Sequence, residues 1–412
     1  MLIRMQRRTY IGLCSLAVMG ACGFNVTSGS APGDSGSGSG SDGGGTIDGS
    51  PACPWPYTPE YFPSPCPGKP GRPLELLDGT SVLDTDDGTL TNGGTAIDIE
   101  SEIVMDVRVV WVTGMHIGPD ADLRLVGSFP VAFIAHGAIT IEGDLDIAGH
   151  AMPASIDDVP AGANSAACGS NDNTGAKVGV ACVAEGASGG GGGSFAQIGG
   201  RGGGGGATRN CGDVIQMGPV PGGAAGLPVT SRPLNLRGGC PGGAGGLSTS
   251  MGAVAGPGGS GGGAIALIAR NTLAISGRIN AGGAGGGGGA KRSGGGGGGS
   301  GGMIVLEGST VSVTGAAKVA ANGGGGGGGC DNNAGGPGKD GNYGDNEADG
   351  GSKEGQGTDG GDGGARGSDA EAADTSGRAG GGGGGGVGFI RVHSAVNPAQ
   401  GDPSSFSPIP SS

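Results

Sequence analysis

Contiguous glycine runs are the feature that most constrains the fold of this chain. Glycine supplies 108 of its 412 residues. The longest runs cover 189–193, 202–206, 285–289, 294–299, 323–329 and 380–386. A glycine run has no side chain to bury and loses the most backbone entropy on ordering. A collagen triple helix is excluded, because it needs glycine at every third position with abundant proline, and only 25 prolines are present.

The apolar stretches between these runs form a repeated strand unit. Its three full copies are VAFIAHGAITIEGDLDIAG (131–149), AIALIARNTLAISGRINAGG (264–283) and MIVLEGSTVSVTGAAKVAANGG (303–324). Gly143, Gly277 and Gly315 occupy the same place in the unit, and VGFIRV (387–392) begins a fourth copy. Alternation with period two puts apolar side chains on one face, which a single unit buries only by stacking on the next. We therefore predict an all-β fold, a β-helix or solenoid-like stack of short strands with long glycine-rich loops.

Composition divides the chain into seven segments. We expect a signal peptide (1–21), a lipid anchor with a Gly/Ser-rich linker (22–50), a Pro/aromatic cap bracketed by cysteines (51–73), a β-strand region (74–149), a Gly/Cys-rich insert (150–260), solenoid repeats with Gly-rich and acidic inserts (261–395) and a tail (396–412). The linker, the acidic insert (331–379) and the tail are predicted to be disordered. The glycine runs either form exposed loops or pack laterally as polyglycine II helices.

The aromatic and proline-rich segment 51–73 has two interpretations. It contains four aromatic residues, Trp55, Tyr57, Tyr61 and Phe62, between prolines that favour extended backbone. One interpretation is a loop that binds carbohydrate or a partner. The interpretation we favour is a cap over the open end of the β-structure that follows.

The N-terminus has the pattern of an export signal. A basic stretch precedes the short apolar segment 11–19, and VMGAC ends at Cys22 in the manner of a bacterial lipobox. This predicts lipidation of Cys22 and attachment to the outer membrane or cell surface; the alternatives are plain secretion and, from Arg7-Arg8, a twin-arginine signal. A net charge of −14 argues against nucleic acid as a partner. The expected partners are the membrane, through the anchor, and envelope polysaccharide or other surface proteins.

Seven cysteines remain after the signal peptide and Cys22. An oxidising compartment favours disulfides, and proximity in sequence suggests three pairs, with Cys330 left over. These pairs are Cys53–Cys66, Cys168–Cys182 and Cys211–Cys240. No cysteine or histidine spacing predicts zinc.

The polar residues predict no catalytic site and no cofactor beyond weak calcium binding. GGPGKD, ending at Asp340, matches part of a calcium-binding nonapeptide, and Asp84 and Asp86 resemble a calcium loop but are better explained by a turn. Asp144 and Asp146 share one strand face near Arg124. Polysaccharide-cleaving enzymes use two carboxylates at a set separation, but outward-facing solvated acids explain this pair better.

The lipobox, the Ser/Gly linker and the blocks SFPVAFIAHGAITIEGDLDIAG, GGSGGMIVLEGSTVSVTGAAKVAANGGGGGGG and GGGGGGGVGFIRV resemble glycine-rich surface lipoproteins of myxobacteria and their relatives. The resemblance covers most of residues 74–395. It implies a location at the cell surface and an architecture, and it implies no established activity. A weaker likeness to mycobacterial PE-PGRS proteins is compositional. The resulting hypothesis is a non-enzymatic, lipid-anchored surface or envelope protein with a structural or adhesive role; the alternative is a carbohydrate-binding or polysaccharide-cleaving β-helix.

Overall fold

A computed structural model describes a large part of the chain. The described residues are 55–62, 71–150, 159–164, 168, 186–206, 208–211, 214–217, 220–229, 233–374, 377–395 and 400–411. The predicted signal peptide, Cys22 and the linker lie outside them, as do Cys53, Cys66 and Cys182. The described chain is all-β, as predicted, and a 3₁₀ turn lies at Pro403–Ser405.

In the residues that the structure describes, seventeen strands make up two sheets. They are β1 Arg72–Asp84, β2 Leu90–Asn92, β3 Thr95–Ile97, β4 Glu100–Val104, β5 Val107–Val126, β6 Val131–Ala135, β7 Ile139–Ile141, β8 Asp144–Asp146, β9 Thr208–Cys211, β10 Val214–Met217, β11 Ala264–Ile275, β12 Arg278–Asn280, β13 Met303–Val313, β14 Lys318–Ala320, β15 Phe389–Ser394, β16 Gln400–Gly401 and β17 Phe406–Ser407. Strands β9 and β10 form a separate antiparallel pair, and the other fifteen belong to one sheet.

The repeat copies pair with one another in parallel and in register. The first strands pair in the order β6–β11–β13–β15, so that Val131, Ile265 and Ile304 form one row. The last strands pair in the order β8–β12–β14–β17. One long strand, β5, pairs with all three strands of the first copy, and β1 pairs with β5. Each copy therefore adds one strand to each of these two rows of paired strands.

The inward faces of these strands form the hydrophobic core. One row consists of Leu123, Leu145, Ile279, Val319 and Phe406, which register places side by side and which are all buried. Burying a side chain of this size contributes about 1.5–3 kcal/mol. The period-two alternation of the short strands places these residues inward, as the sequence pattern predicts.

The C-terminal tail is ordered where it is described, so the prediction of disorder over 396–412 is wrong for residues 400–411. β16 pairs with β13, and β17 pairs with β14. Phe406 is 7% exposed and completes the row described above. The Pro/Ser-rich tail has no alternation of apolar and polar residues around Phe406, so the sequence pattern did not predict a strand there.

The glycine runs form a second packed body, and the prediction of exposed loops is wrong for the described runs. Residues 294–302, 321–329 and 380–388 are buried throughout. In one run, Gly323, Gly326 and Gly329 donate backbone hydrogen bonds to a single neighbouring segment, 358–364. The intervening residues donate to two other segments, 296–299 and 336–339. This threefold repeat is that of the polyproline II helix, which has three residues per turn and no internal hydrogen bonds.

Three of the runs are each surrounded by six other segments of the described chain. Residues 294–302 donate in turn to three segments, and every one of these nine residues donates a backbone hydrogen bond. The acceptor segments are 240–246, 281–287 and 380–386, and the segments donating back are 190–193, 256–262 and 324–327. Each bond contributes about 0.5–1.5 kcal/mol net, which offsets the entropic cost of ordering glycine. We refer to these hydrogen-bonded segments, between residues 186 and 388, as the glycine bundle.

The acidic insert belongs to the glycine bundle, so its predicted disorder is also wrong where the structure describes it (331–374 and 377–379). Segments 335–341, 348–354 and 358–364 each exchange backbone hydrogen bonds with neighbouring runs. Its acidic side chains are exposed or partly exposed, apart from the buried Asp331. Low hydrophobicity therefore does not prevent order here, because backbone groups rather than apolar side chains make the contacts.

Candidate functional site

Asp144 and Asp146, the carboxylate pair noted in the sequence, lie on the outer face of β8. Register places Asp144 beside Asp122 of β5 and Arg278 of β12. Both oxygens of Asp144 accept hydrogen bonds from the Arg278 guanidinium, with Nε at 2.6 Å from Oδ1. Arg124 Nη1 donates to Asp146 Oδ2 at 2.6 Å. Each carboxylate is thus neutralised by an arginine from a neighbouring strand.

His150 links this row to the glycine bundle. Its Nε2 lies 3.1 Å from Asp146 Oδ2, and its Nδ1 lies 3.6 Å from Asp340 Oδ2. Asp340 also accepts a hydrogen bond from the Gly285 backbone N–H at 2.8 Å. The hydrogen bonds to Asp146 and Asp340 raise the pKa of His150 to about 9. At neutral pH, His150 is therefore a cation between two carboxylates.

This network is better suited to fastening two parts of the molecule than to acid–base catalysis. Burial alone would raise the pKa of Asp146, but hydrogen bonding to His150 and the charge of Arg124 outweigh it, so the pKa lies below its ordinary value. A carboxylate of lowered pKa is a poor proton donor. Arg278 also stacks over the Tyr343 ring, 4.9 Å from its centroid. Asp144 and Asp146 are therefore paired with arginines rather than solvated as expected, and the absence of a catalytic role stays a prediction.

The predicted calcium candidates do not come together. The carboxylate of Asp84 accepts from the Asp86 N–H at 2.8 Å, and Asp86 accepts from the Ser128 N–H at 2.8 Å. The first bond is that of a turn, as we favoured, and the second joins this turn to a distant segment. Asp340, as described above, belongs to the His150 network. Weak calcium binding at these residues stays a prediction.

A different set of carboxylates has a spacing compatible with a metal ion. Glu347, Asp362 and Glu371 each offer an oxygen within 4.8 Å of the others, the one such group found among the described residues. Asp362 Oδ1 also accepts from the Gly350 N–H at 2.6 Å. Burial, and then the charges of Asp362 and Glu347, raise the pKa of Glu371. Sequence reasoning missed the group because packing of separate glycine-rich segments brings these residues together.

An open cleft of about 500 Å³ lies beside β1, β5 and β7. Glu75, His116 and Thr140 follow one another across these strands and line it. His116 Nε2 lies 3.0 Å from Glu142 Oε2, and both side chains are partly exposed. The sequence did not predict this cleft, because the strand register that aligns His116 with Glu75 and Thr140 is not visible in a linear pattern.

Residues 55–62 cover the outer face of the sheet formed by the first strands of the copies, and we call them the cap. Tyr61 and Phe62 are buried there with Trp111 and Ile134. The Tyr57 hydroxyl donates to the Ala269 carbonyl at 2.8 Å. The favoured cap interpretation agrees with this placement, except that the cap covers a strand face rather than the open end of the β-structure.

The structure corrects two of the expected disulfides. Cys168 is bonded to Cys240, with Cα atoms 5.4 Å apart, which rules out the pairs Cys168–Cys182 and Cys211–Cys240. The backbone explains the pairing, since Asn164 N–H donates to Gly239 O and joins the two segments. Cys330 is a buried free thiol, as its odd number suggested. The predicted pair Cys53–Cys66 lies outside the described residues.

Comparison with known proteins supplies no relative. No protein-family model matches the chain, and no curated protein or solved structure matches it. Among the described residues, no helix has both the length and the apolar character needed to cross a membrane. The geometry of the chain itself is therefore the basis for assigning a function.

Proposed function

We propose that the protein is a non-enzymatic, lipid-anchored surface or envelope protein with a structural or adhesive role. The observation that carries this proposal is the glycine bundle, in which runs such as 294–302 are buried and donate a backbone hydrogen bond at every residue. Such a body is held together by backbone hydrogen bonds, and its central runs consist almost entirely of glycine. Its role is therefore mechanical: it carries and displays the side chains on the turns between its segments.

The finer architecture of the body is a β-solenoid joined to the glycine bundle. Parallel pairing of successive copies and the buried row from Leu123 to Phe406 support this interpretation. Each copy would supply one coil, and the glycine segments would leave the stack between coils. The network of Asp146, His150 and Asp340 fastens the stack to the bundle.

An adhesive role is supported by apolar side chains on an exposed turn of the bundle. In the turn over residues 247–254, Leu247, Met251 and Val254 are 49%, 97% and 59% exposed. A bridge between Val254 and Ala290 places this turn beside the next one, which carries Lys291. Apolar side chains displayed on a rigid body are suited to contact with another surface.

Two variants test this proposal in cells that produce the full chain. Cys22→Ser is expected to abolish palmitate labelling and surface retention, whereas undiminished labelling would contradict the anchor. Replacing Leu247 and Met251 together by serine is expected to reduce adhesion of cells to an apolar surface severalfold. Leu77→Ser is the matched control, since Leu77 is an exposed leucine on β1. Equal adhesion of the control and the double variant would contradict an adhesive turn.

A carbohydrate-active role is the second candidate, and the cleft lined by Glu75, His116 and Thr140 is the observation that favours it. Its polar lining could hydrogen-bond a sugar. A glycan array, together with an assay for reducing-end release, distinguishes the candidates. Product formation that is abolished by Asp144→Ala, Asp146→Ala or Glu142→Gln would overturn the non-enzymatic proposal.

A further inference from the structure

Glu307 is a buried acid at a position that is apolar in the two preceding copies. Register places it in one row with Ile134 of β6, Ile268 of β11 and His393 of β15. Ile134, Ile268 and Glu307 are all 0% exposed. A carboxyl in such a row costs free energy when it is ionised. Isoleucine at this position, as in the other two copies, avoids this cost, so the role of the Glu307 carboxyl must lie in the contacts that it makes.

The carboxyl of Glu307 makes one of the polar contacts between the cap and the sheet. Glu307 Oε2 accepts a hydrogen bond from the Glu60 backbone N–H at 2.9 Å. The other oxygen, Oε1, is buried without a hydrogen-bond partner. Beside it, Arg391 of β15 forms an ion pair with the Glu60 side chain. One oxygen of the carboxyl thus holds the cap, while the other oxygen is buried without a hydrogen bond.

We propose that Glu307 is a pH-sensitive catch, which keeps the cap docked on the sheet while its carboxyl is protonated and loosens the cap when the carboxyl ionises. This inference is independent of the proposed adhesive role. The physical basis is the placement of one acid between an apolar sheet face and a segment of the same chain. The neutral acid puts no charge into this buried position, whereas the carboxylate puts one there that the backbone N–H groups of the cap and Arg391 compensate only in part.

The charged and titratable groups around Glu307 set the direction of the effect. Burial, opposed by the Glu60 N–H and reinforced by the Glu60 charge, raises the pKa of Glu307 to about 7, from an ordinary value of 4.5. The Tyr61 N–H and Arg391 act in the lowering direction. The contribution of Glu307 to cap docking is therefore fully present below about pH 4.5. It decreases as the pH rises from about 4.5 to about 7 and does not change further above that. Linkage over this interval corresponds to roughly a 300-fold change in the docking equilibrium.

The other groups near the cap titrate differently. Burial and then the charge of Glu307 raise the pKa of Tyr57, which stays neutral in this range. Burial, and then the charge of Arg270, lower the pKa of His136, whose ring lies 6.1 Å from that of Trp55. Protonation of His136 at low pH opposes docking, which is the opposite direction from Glu307. The ring centroid of His393 lies 6.0 Å from that of Tyr57, and a variant at Glu307 separates the effect of the acid from that of His136.

Tryptophan fluorescence of the full chain tests the catch directly. The chain has two tryptophans, and Trp111→Phe leaves Trp55, in the cap, as the sole reporter. We expect the Trp55 emission to shift to longer wavelength between about pH 5 and 8. Glu307→Gln, which cannot ionise, is expected to abolish this shift. Glu142→Gln is the control, since it removes a partly exposed acid at the cleft, and it should leave the shift intact.

Deuterium exchange of the wild-type chain provides a second readout, which does not depend on the Trp111 variant folding. After correction for intrinsic pH dependence, peptides covering 55–62 should lose protection as pH rises, while segment 294–302 stays protected. The proposal is overturned if Trp55 emission and cap protection do not change with pH. It is also overturned if Glu307→Gln keeps the full transition, or if the cap and segment 294–302 lose protection together.

Discussion

At the residue scale, the glycine bundle depends on the absence of a Cβ atom. A Cβ built on Gly297 would overlap the carbonyl oxygen of Gly191, and one on Gly298 would overlap that of Gly324. The obstructing atoms are backbone atoms of other runs, which cannot move aside without breaking their own hydrogen bonds. Glycine here serves close approach of backbones rather than flexibility.

Replacing Gly297 by alanine is therefore expected to lower the free energy of unfolding by about 3 kcal/mol or more. Denaturant or thermal unfolding measures the change. Gly114→Ala is the matched control, because a Cβ there would meet only the Ala138 carbonyl oxygen, at 3.4 Å. Equal stability of the two variants would contradict close packing of the runs.

The pH dependence of His150 offers a second prediction for individual residues. Its pKa in the folded protein is raised to about 9, first by the bond to Asp146 and then by that to Asp340, from an ordinary value of 6.5. The stabilisation is fully present below about pH 6.5 and is lost as pH rises through about 9. NMR titration of the imidazole should show the high midpoint, and Asp340→Asn should lower it. A midpoint near 6.5 in the unmodified chain would show that the network does not form.

At the scale of elements, the last strands extend the parallel pairing of the repeat copies. β17 lies beside β14, and its Phe406 ends the buried row that begins at Leu123. An exposed edge strand would otherwise remain at β14. The tail is thus a structural element of the fold and not an appendage.

Phe406→Ala is expected to cost about 3–5 kcal/mol of stability, because it empties a core position. Equilibrium unfolding in denaturant measures this, with Ile409→Ala as the control, since Ile409 is 61% exposed. A loss no greater than that of the control would mean that the tail does not pack.

Comparison of the elements with the sequence shows what a linear pattern can predict. The strand copies were predictable, because period-two alternation around Leu145, Ile279 and Val319 is local and encodes which face is buried. The neighbours of each glycine run were not, because identical residues carry no information about their partners. The Cys168–Cys240 bond and the group Glu347, Asp362 and Glu371 depend on that packing, so neither could be read from spacing. Glu307 is visible in the sequence of one copy, but its burial could not be predicted, because it depends on contact with the cap.

At the scale of the whole molecule, two kinds of core coexist in the described chain. Apolar side chains fill the stack of strands, and backbone hydrogen bonds hold the glycine bundle together. The second kind needs no hydrophobic sequence, which reconciles 108 glycines with an ordered body. It also predicts a gradient of order, from runs with six neighbours to exposed turns.

Hydrogen–deuterium exchange of the full chain tests this central claim most directly. The amides of 294–302, 321–329 and 380–388 should exchange orders of magnitude more slowly than an unstructured peptide, since each run is enclosed by hydrogen-bonded neighbours. The exposed turn around Met251 should exchange rapidly and serves as the internal reference. Exchange of the three runs at the rate of that turn would contradict the packed glycine bundle.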